Sequence, residues 1–231
     1  MQMPAMTEDG FDFEGEVRQA ADLVGAARDA GVPQFVHTSV TGAGQHTETP
    51  GWAEGRWAAM EGTLGAKAAI QDLVRAAGFP YWTLLKPGFF MENFLPSSAF
   101  LFPRGLEGGL VSVLKPGTRL SLVAVDDIGA TAAAAVADPR AFHEVELELA
   151  SDHLSMAQIA AVLSEVLGRH LPAPDMTEAQ ALAAGMPAPG ANHEWLNVAE
   201  QPGRPQYARA LGIPLTTFAT WSRRHMSPVA G

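Results

Sequence analysis

"RDAGVPQFVHTSV" (residues 28–40) and "RAAGFPYWTLLKP" (residues 75–87) are two versions of one pattern. Each runs from a helix end through a glycine, an apolar residue and a proline into a run rich in β-branched and aromatic residues. Gly31 and Gly78 stand where a helix end takes left-handed φ, and Pro33 and Pro80 stop either helix from continuing. The runs that follow, 35–38 and 81–85, do not alternate apolar with polar residues. That is the mark of strands buried on both faces of a parallel sheet. Amphipathic stretches at 13–30 and 57–77 precede them, giving the order αβαβ of a doubly wound fold.

Beyond residue 87 the pattern changes. "LVSVLKPGTRLSLV" (110–123) reads as a hairpin, with Pro116 and Gly117 at the centre of a type II turn. "DDIGATAAAAVADP" (126–139) reads as an alanine-rich helix capped by Asp126 or Asp127 and stopped by Pro139. "VELELAS" (145–151) alternates as a strand does. Ser155 with Gln158 makes a capping box for a helix over 156–167 that Gly168 closes. The remainder is helical with Pro/Gly-rich joints and ends in a helix over 217–224. The expected fold class is α/β: part of a Rossmann-like parallel sheet over 1–105, then a smaller α-rich lobe over 106–231. The strand near 143–150 is expected to return to the sheet.

At 231 residues, 47% hydrophobic and 17% charged, the chain is globular and long enough to bury a core. A net charge of −10 without a basic patch argues against nucleic acid, because phosphate neutralisation needs clustered Lys and Arg. With no cysteine there is no disulfide, thiolate or cysteine metal site. His46 and Glu48 are too isolated to hold a metal. No run approaches a membrane span and no leader pattern opens the sequence, so a cytoplasmic protein without membrane contact is expected.

"TLGAKAAIQDLV" (63–74) holds an oddity, a lysine on the apolar stripe of a helix, in a chain with 12 Arg and only 3 Lys. Lys67 is in helical register with Leu64, Ile70 and Val74. Periodicity alone fits a side chain that snorkels to water. In open parallel sheets, however, ligands bind beyond the carboxyl ends of the strands. Here those ends are "HTSVTGAGQH" and "KPGFFMENF", and Lys67 belongs to the helix between them. They present His37, Ser39, Pro87, Gly88 and the Phe89, Phe90, Met91 and Phe94 group around Glu92 and Asn93. The aromatic group reads equally as core or as pocket wall. "TGAG" is a poor phosphate loop, since a polar loop and not a helix follows it. Ser39 has no G-x-S-x-G context, which disfavours a hydrolase nucleophile.

Taken together, "AGVPQFVHTSV", "KAAIQDLVRAAGFPYWTLLKPGFFMEN", "VAVDDIG" and "LSMAQIAAVLSEVLGR" resemble the NmrA-like family of atypical short-chain dehydrogenase/reductases. The resemblance implies an NADP or NAD cofactor. It implies that Lys67 is catalytic or contacts the nicotinamide ribose, with Ser39, Pro87, Gly88, Phe89 and Phe90 on the nicotinamide side. His37, Met91, Asn93 and Phe94 would face an apolar substrate or effector.

Two departures qualify what the resemblance implies. The short-chain signature places a Tyr four residues before the Lys, and here that residue is Thr63, a much weaker acid. The glycine-rich strand–turn–helix that holds the pyrophosphate has no counterpart in the sequence, so weak dinucleotide binding is expected. Met1 is then expected to be an internal methionine or the gene truncated, and strand 35–38 an open edge suited to self-association. The resemblance leaves two roles open, a cofactor-sensing regulator and an NAD(P)H-dependent reductase of quinones or similar flat substrates. A non-binding fragment is the third reading.

Overall fold

A computed structural model of the chain describes residues 4–8 and 10–226. Met1, read above as an internal methionine, lies outside the described residues. In chain order the first elements are β1 (Ala5–Thr7), β2 (Gly10–Asp12), α1 (Phe13–Asp29), β3 (Gln34–Thr38), α2 (Ala58–Ala76) and β4 (Tyr81–Pro87). There follow β5 (Phe89–Phe90), β6 (Arg119–Val123), α3 (Val125–Ala137), β7 (Val145–Leu149) and β8 (Asp152–Ser155). The chain ends with α4 (Met156–Leu167), α5 (Glu178–Ala183), α6 (Pro205–Ala210) and α7 (Phe218–His225). Contacts divide it into two units, Met1–Pro87 with Gly129–Glu148, and Gly88–Ile128 with Leu149–Gly231.

In the first unit β1 and β2 pair with each other as a small antiparallel hairpin, with no further strand beside them among the described residues. Asp12 caps α1 by accepting the Gly15 N–H at 2.7 Å. Both long helices end as the repeated pattern requires, at Gly31 (φ +69°) and Gly78 (φ +75°). β3 and β4 are parallel, in register from Gln34 opposite Tyr81 to Thr38 opposite Leu85, and β7 joins the sheet beside β4. Val24 of α1, Val74 of α2, Phe79 and Leu84 form a core on one face, joined by Phe35, whose ring stacks on Phe79 at 4.7 Å. On the opposite face Gln34 donates to the Ala135 carbonyl and Thr83 to that of Phe142. β4 is buried from Thr83 to Pro87, as its apolar run demands. β3 is only half-buried except at His37, which differs from the expectation. It stands at the edge of the sheet among the described residues, so one flank has no neighbour.

In the second unit β6 pairs in parallel with β5 and antiparallel with β8. The expected hairpin over 110–123 does not form. Both sides of β6 are taken by β5 and β8, so residues 110–114 run as buried irregular chain instead. The turn exists, with the Thr118 N–H on the Lys115 carbonyl at 2.9 Å, but Gly117 keeps ordinary φ, so it is not type II. α4 begins at the Ser155–Gln158 capping box and ends at Gly168, as read from the sequence. Asp126 and Asp127 lie inside the first turn of α3 and not at its cap. The Val125 N–H is taken by Glu92, 33 residues away, at 3.1 Å. Asp127 is held by Ser151 and Thr216. No described helix is long and apolar enough to cross a membrane.

Candidate functional site

The buried stripe of α2 carries Leu64, Lys67, Ile70, Gln71 and Val74, and that of α1 carries Glu16, Ala20 and Val24. One charged residue sits on each stripe, and the two meet. Lys67 Nζ donates to Glu16 Oε1, with Lys67 6% and Glu16 1% exposed. Burying either charge alone would cost several kcal/mol, so each is tolerable only beside the other. Gly62 makes the close approach of the helices feasible, since a Cβ there would lie 2.5 Å from the Phe13 ring. His37 leaves β3 on the same face as Phe35, because alternate residues share a face, and so turns toward the two helices. Burial, with the Lys67 charge adding to it, pushes its pKa down to about 4, so the imidazole is neutral. Two polar atoms of the group have no partner among the described residues, Glu16 Oε2 and His37 Nε2. Buried polar atoms seldom lack a partner, so each of these two calls for one, whether water or ligand.

The other side chains expected near Lys67 are already engaged. Ser39 is buried, accepts from Gln71 Nε2 at 2.8 Å and donates its N–H to the Leu85 carbonyl. In the loop after β3, Gly42 N–H binds Glu148 Oε2 and Gly44 N–H binds His46 Nδ1, so "TGAG" offers neither amide to a phosphate. An ionic ladder runs along the same side of the sheet. Arg75 grips Glu146 through two bonds of 2.5 and 2.7 Å, and Lys86 lies between Glu146 (2.9 Å) and Glu148 (3.5 Å). The Arg75 hydrogen bonds, with Lys86 helping, hold the Glu146 carboxyl down at about 2, while burial raises that of Glu148. A cavity of about 630 Å³ between α2 and Glu146 is lined by these self-paired groups, and Lys67 is not among its walls.

The remaining predicted residues sit in or next to the second unit. Pro87 ends β4 and accepts from the Thr41 N–H. Gly88 faces the backbone of Ser121, whose oxygen would lie 2.0 Å from an added Cβ, so no larger residue fits. Met91 and Phe94 are fully buried and Phe89 nearly so, with Phe94 packed edge-on to Phe218 at 5.1 Å. Phe90, Glu92 and Asn93 keep part of their surface. His193, not singled out in the sequence, meets the edges of Phe89 (5.3 Å) and Phe100 (5.1 Å), and burial pushes its pKa down to about 4. Glu16 was also missed, although an acid on the apolar stripe of α1 answers the lysine on that of α2. Glu92 left no local signal, because its partners, Val125 and Trp221, are distant in sequence.

Glu16 Oε2 and His37 Nε2, buried and unpartnered among the described residues, are acceptor or donor atoms of the kind that would meet the hydroxyls of a nicotinamide ribose. The described residues supply no matching glycine turn for the pyrophosphate.

A parallel pair of strands flanked by α1 and α2, with the order αβαβ, defines a Rossmann-like α/β protein. The sequence profile of the NmrA-like family matches residues 3–196, and the chain belongs to that family. It is 30% identical over 220 residues to the NAD(P)H azoreductase of Xenophilus azovorans, covering 91% of this chain and 71% of the relative. Its fold is similar to the triphenylmethane reductase of Citrobacter sp. complexed with NADP(H). There the TM-score is 0.73 and the identity 18%, over 93% of this chain and 73% of that one. It is also similar to an NADPH-dependent quinone oxidoreductase of Escherichia coli complexed with NADPH. There the TM-score is 0.67 and the identity 22%, over 93% of this chain and 73% of that one.

Proposed function

We propose that this chain is an NAD(P)H-dependent reductase of planar conjugated acceptors of the azo or quinone kind, with Lys67 at the reacting end. The observation that carries the reading is the buried Lys67–Glu16 pair, with Glu16 Oε2 and His37 Nε2 buried there without a hydrogen-bond partner among the described residues. The 30% identity to an azoreductase supports it. Bound NAD(P)H would supply a hydride. Lys67 would donate hydrogen bonds to the ribose or to the acceptor, Glu16 would balance its charge, and neutral His37 would take a hydroxyl. Among the described residues, these contacts are what this chain would offer the dinucleotide. Thr63, half-buried at the position of the usual Tyr, is a poor proton source and favours a second reading, a regulator that binds cofactor without turnover.

Following NADPH absorbance with menadione or methyl red as acceptor tests the reading. The expected result is acceptor-dependent consumption that saturates near millimolar NADPH, roughly a 4 kcal/mol interaction. Replacing the pair by Lys67→Met with Glu16→Gln, which leaves no buried charge, lowers kcat/KM at least about tenfold. An unchanged rate overturns the role of Lys67. Saturable binding with no consumption of NADPH moves the assignment to the regulator, and no binding at all overturns both.

A further inference from the structure

A second cleft, within the second unit, has the makings of a ligand site unrelated to Lys67. In the β6–β8 ladder Arg119 is opposite Ser155, and Ser121 is opposite His153. Opposite residues of an antiparallel pair share a face, as do residues two apart, so Arg119 and His153 are diagonal neighbours on one face, about 7–8 Å apart. The segment after the 3-10 stretch Ala188–Asn197 lies over that face. Gln201 Oε1 accepts the Ser121 N–H at 2.8 Å, and the Gly203 carbonyl accepts the Ser121 hydroxyl at 2.8 Å. A cleft of about 370 Å³ remains beneath residues 196–200.

Most polar groups around the cleft are already satisfied. Lys115 Nζ binds Asp175 at 3.1 Å and the Met176 carbonyl at 3.0 Å. Asn197 Oδ1 accepts from the Lys115 N–H and the Thr118 hydroxyl, and its Nδ2 donates to the Val113 carbonyl. Glu200 pairs with Arg204. Two groups stand apart. Among the described residues the Arg119 side chain makes no hydrogen bond or ion pair, its charge acts on His153, and His153 Nδ1 is buried without a partner. The charged groups felt by His153 are Arg204, Arg119, Glu200 and Asp152; burial and the two arginines hold its pKa below the usual value. Beside them the wall is apolar, with Leu196 buried and Val198 42% exposed.

We propose that this cleft binds a small monocarboxylate with a short apolar body, its carboxylate held by Arg119 and His153 and its body by Leu196 and Val198. A planar guanidinium matches a carboxylate through two parallel bonds. Glu200 at the same cleft disfavours a doubly charged phosphate. The site lies wholly within the second unit and does not depend on dinucleotide binding or turnover.

Imidazole NMR of the full chain, titrated with benzoate to about 20 mM, tests the proposal. The expected result is a saturable shift of the His153 signals, with its pKa rising by roughly half a unit or more as the anion offsets the arginines. Signals of His37 and His193 stay in place. Arg119→Ala, an exposed position, raises the His153 pKa without ligand and weakens benzoate binding about fivefold or more. No saturable shift overturns the proposal. So does an equal response to benzamide, which shares the ring but not the charge, or to inorganic phosphate, which lacks the apolar body. Benzoate binding undiminished in Arg119→Ala overturns it as well.

Discussion

Lys67 and Glu16 place two opposite charges where α1 and α2 would otherwise meet through aliphatic side chains. Removing one partner strands the other in an apolar setting, whereas removing both leaves only a change of shape. Lys67→Met alone is therefore expected to destabilise the fold by about 3 kcal/mol, and Lys67→Met with Glu16→Gln by less than about 1 kcal/mol. Urea unfolding of the two single variants and the double variant measures the coupling, and strictly additive effects would show that the charges do not depend on one another. The lysine was visible in the sequence because it broke the apolar period of its helix. Its partner broke the period of α1 in the same way, but an acid near a helix start has an ordinary explanation in the helix dipole. Only the packing of the two stripes separates those explanations.

The elements whose limits are set within a few residues were legible. Gly31 and Gly78 end their helices, and Ser155 with Gln158 opens α4, because caps and left-handed φ are local matters. Elements that depend on a distant partner were not. Residues 110–114 have strand composition and a turn after them, yet both sides of β6 belong to β5 and β8. α3 has two acids at its start, yet the Val125 N–H is met by Glu92. Gly88 belongs to the same class. Its place in the K-P-G run suggested a cofactor contact, and the structure sets it against the Ser121 carbonyl at the join of β5 and β6. Gly88→Ala is expected to cost about 2–3 kcal/mol through overpacking, read as a lower midpoint in urea unfolding. A midpoint unchanged from the parent chain would mean that β5 and β6 separate without penalty.

For the whole molecule, stability should fall as the medium turns acidic, in two stages. His37 and His193 have folded values near 4 against an ordinary 6.5, so as pH drops the unfolded chain binds protons first. What they contribute by staying neutral is fully present above pH 6.5 and is lost between 6.5 and about 4. The slope is about 1.4 kcal/mol per pH unit for each. Glu146, held at about 2 against 4.5, contributes fully above 4.5 and loses that contribution as pH falls toward 2. Urea midpoints between pH 7 and 5 should therefore decline before Glu146 titrates in the folded chain, and His37→Gln should flatten part of that decline. An unaltered slope in His37→Gln would show that His37 titrates as an exposed histidine does.

The sequence by itself determined the α/β class, the parallel pair β3 and β4 and the helices before them. It also determined the family and the anomalous lysine. Each depends on period, caps or motif order, which are properties of neighbouring residues. Tertiary structure decided the counter-charge of Lys67, the engagement of Ser39 and Lys86 by Gln71, Glu146 and Glu148, and the burial of Met91 and Phe94 in the core. It also decided the meeting of Arg119 with His153 across a ladder. Those outcomes depend on which faces come together, and the desolvation that gives a buried charge or an open hydrogen-bonding atom its chemical consequence exists only once they do.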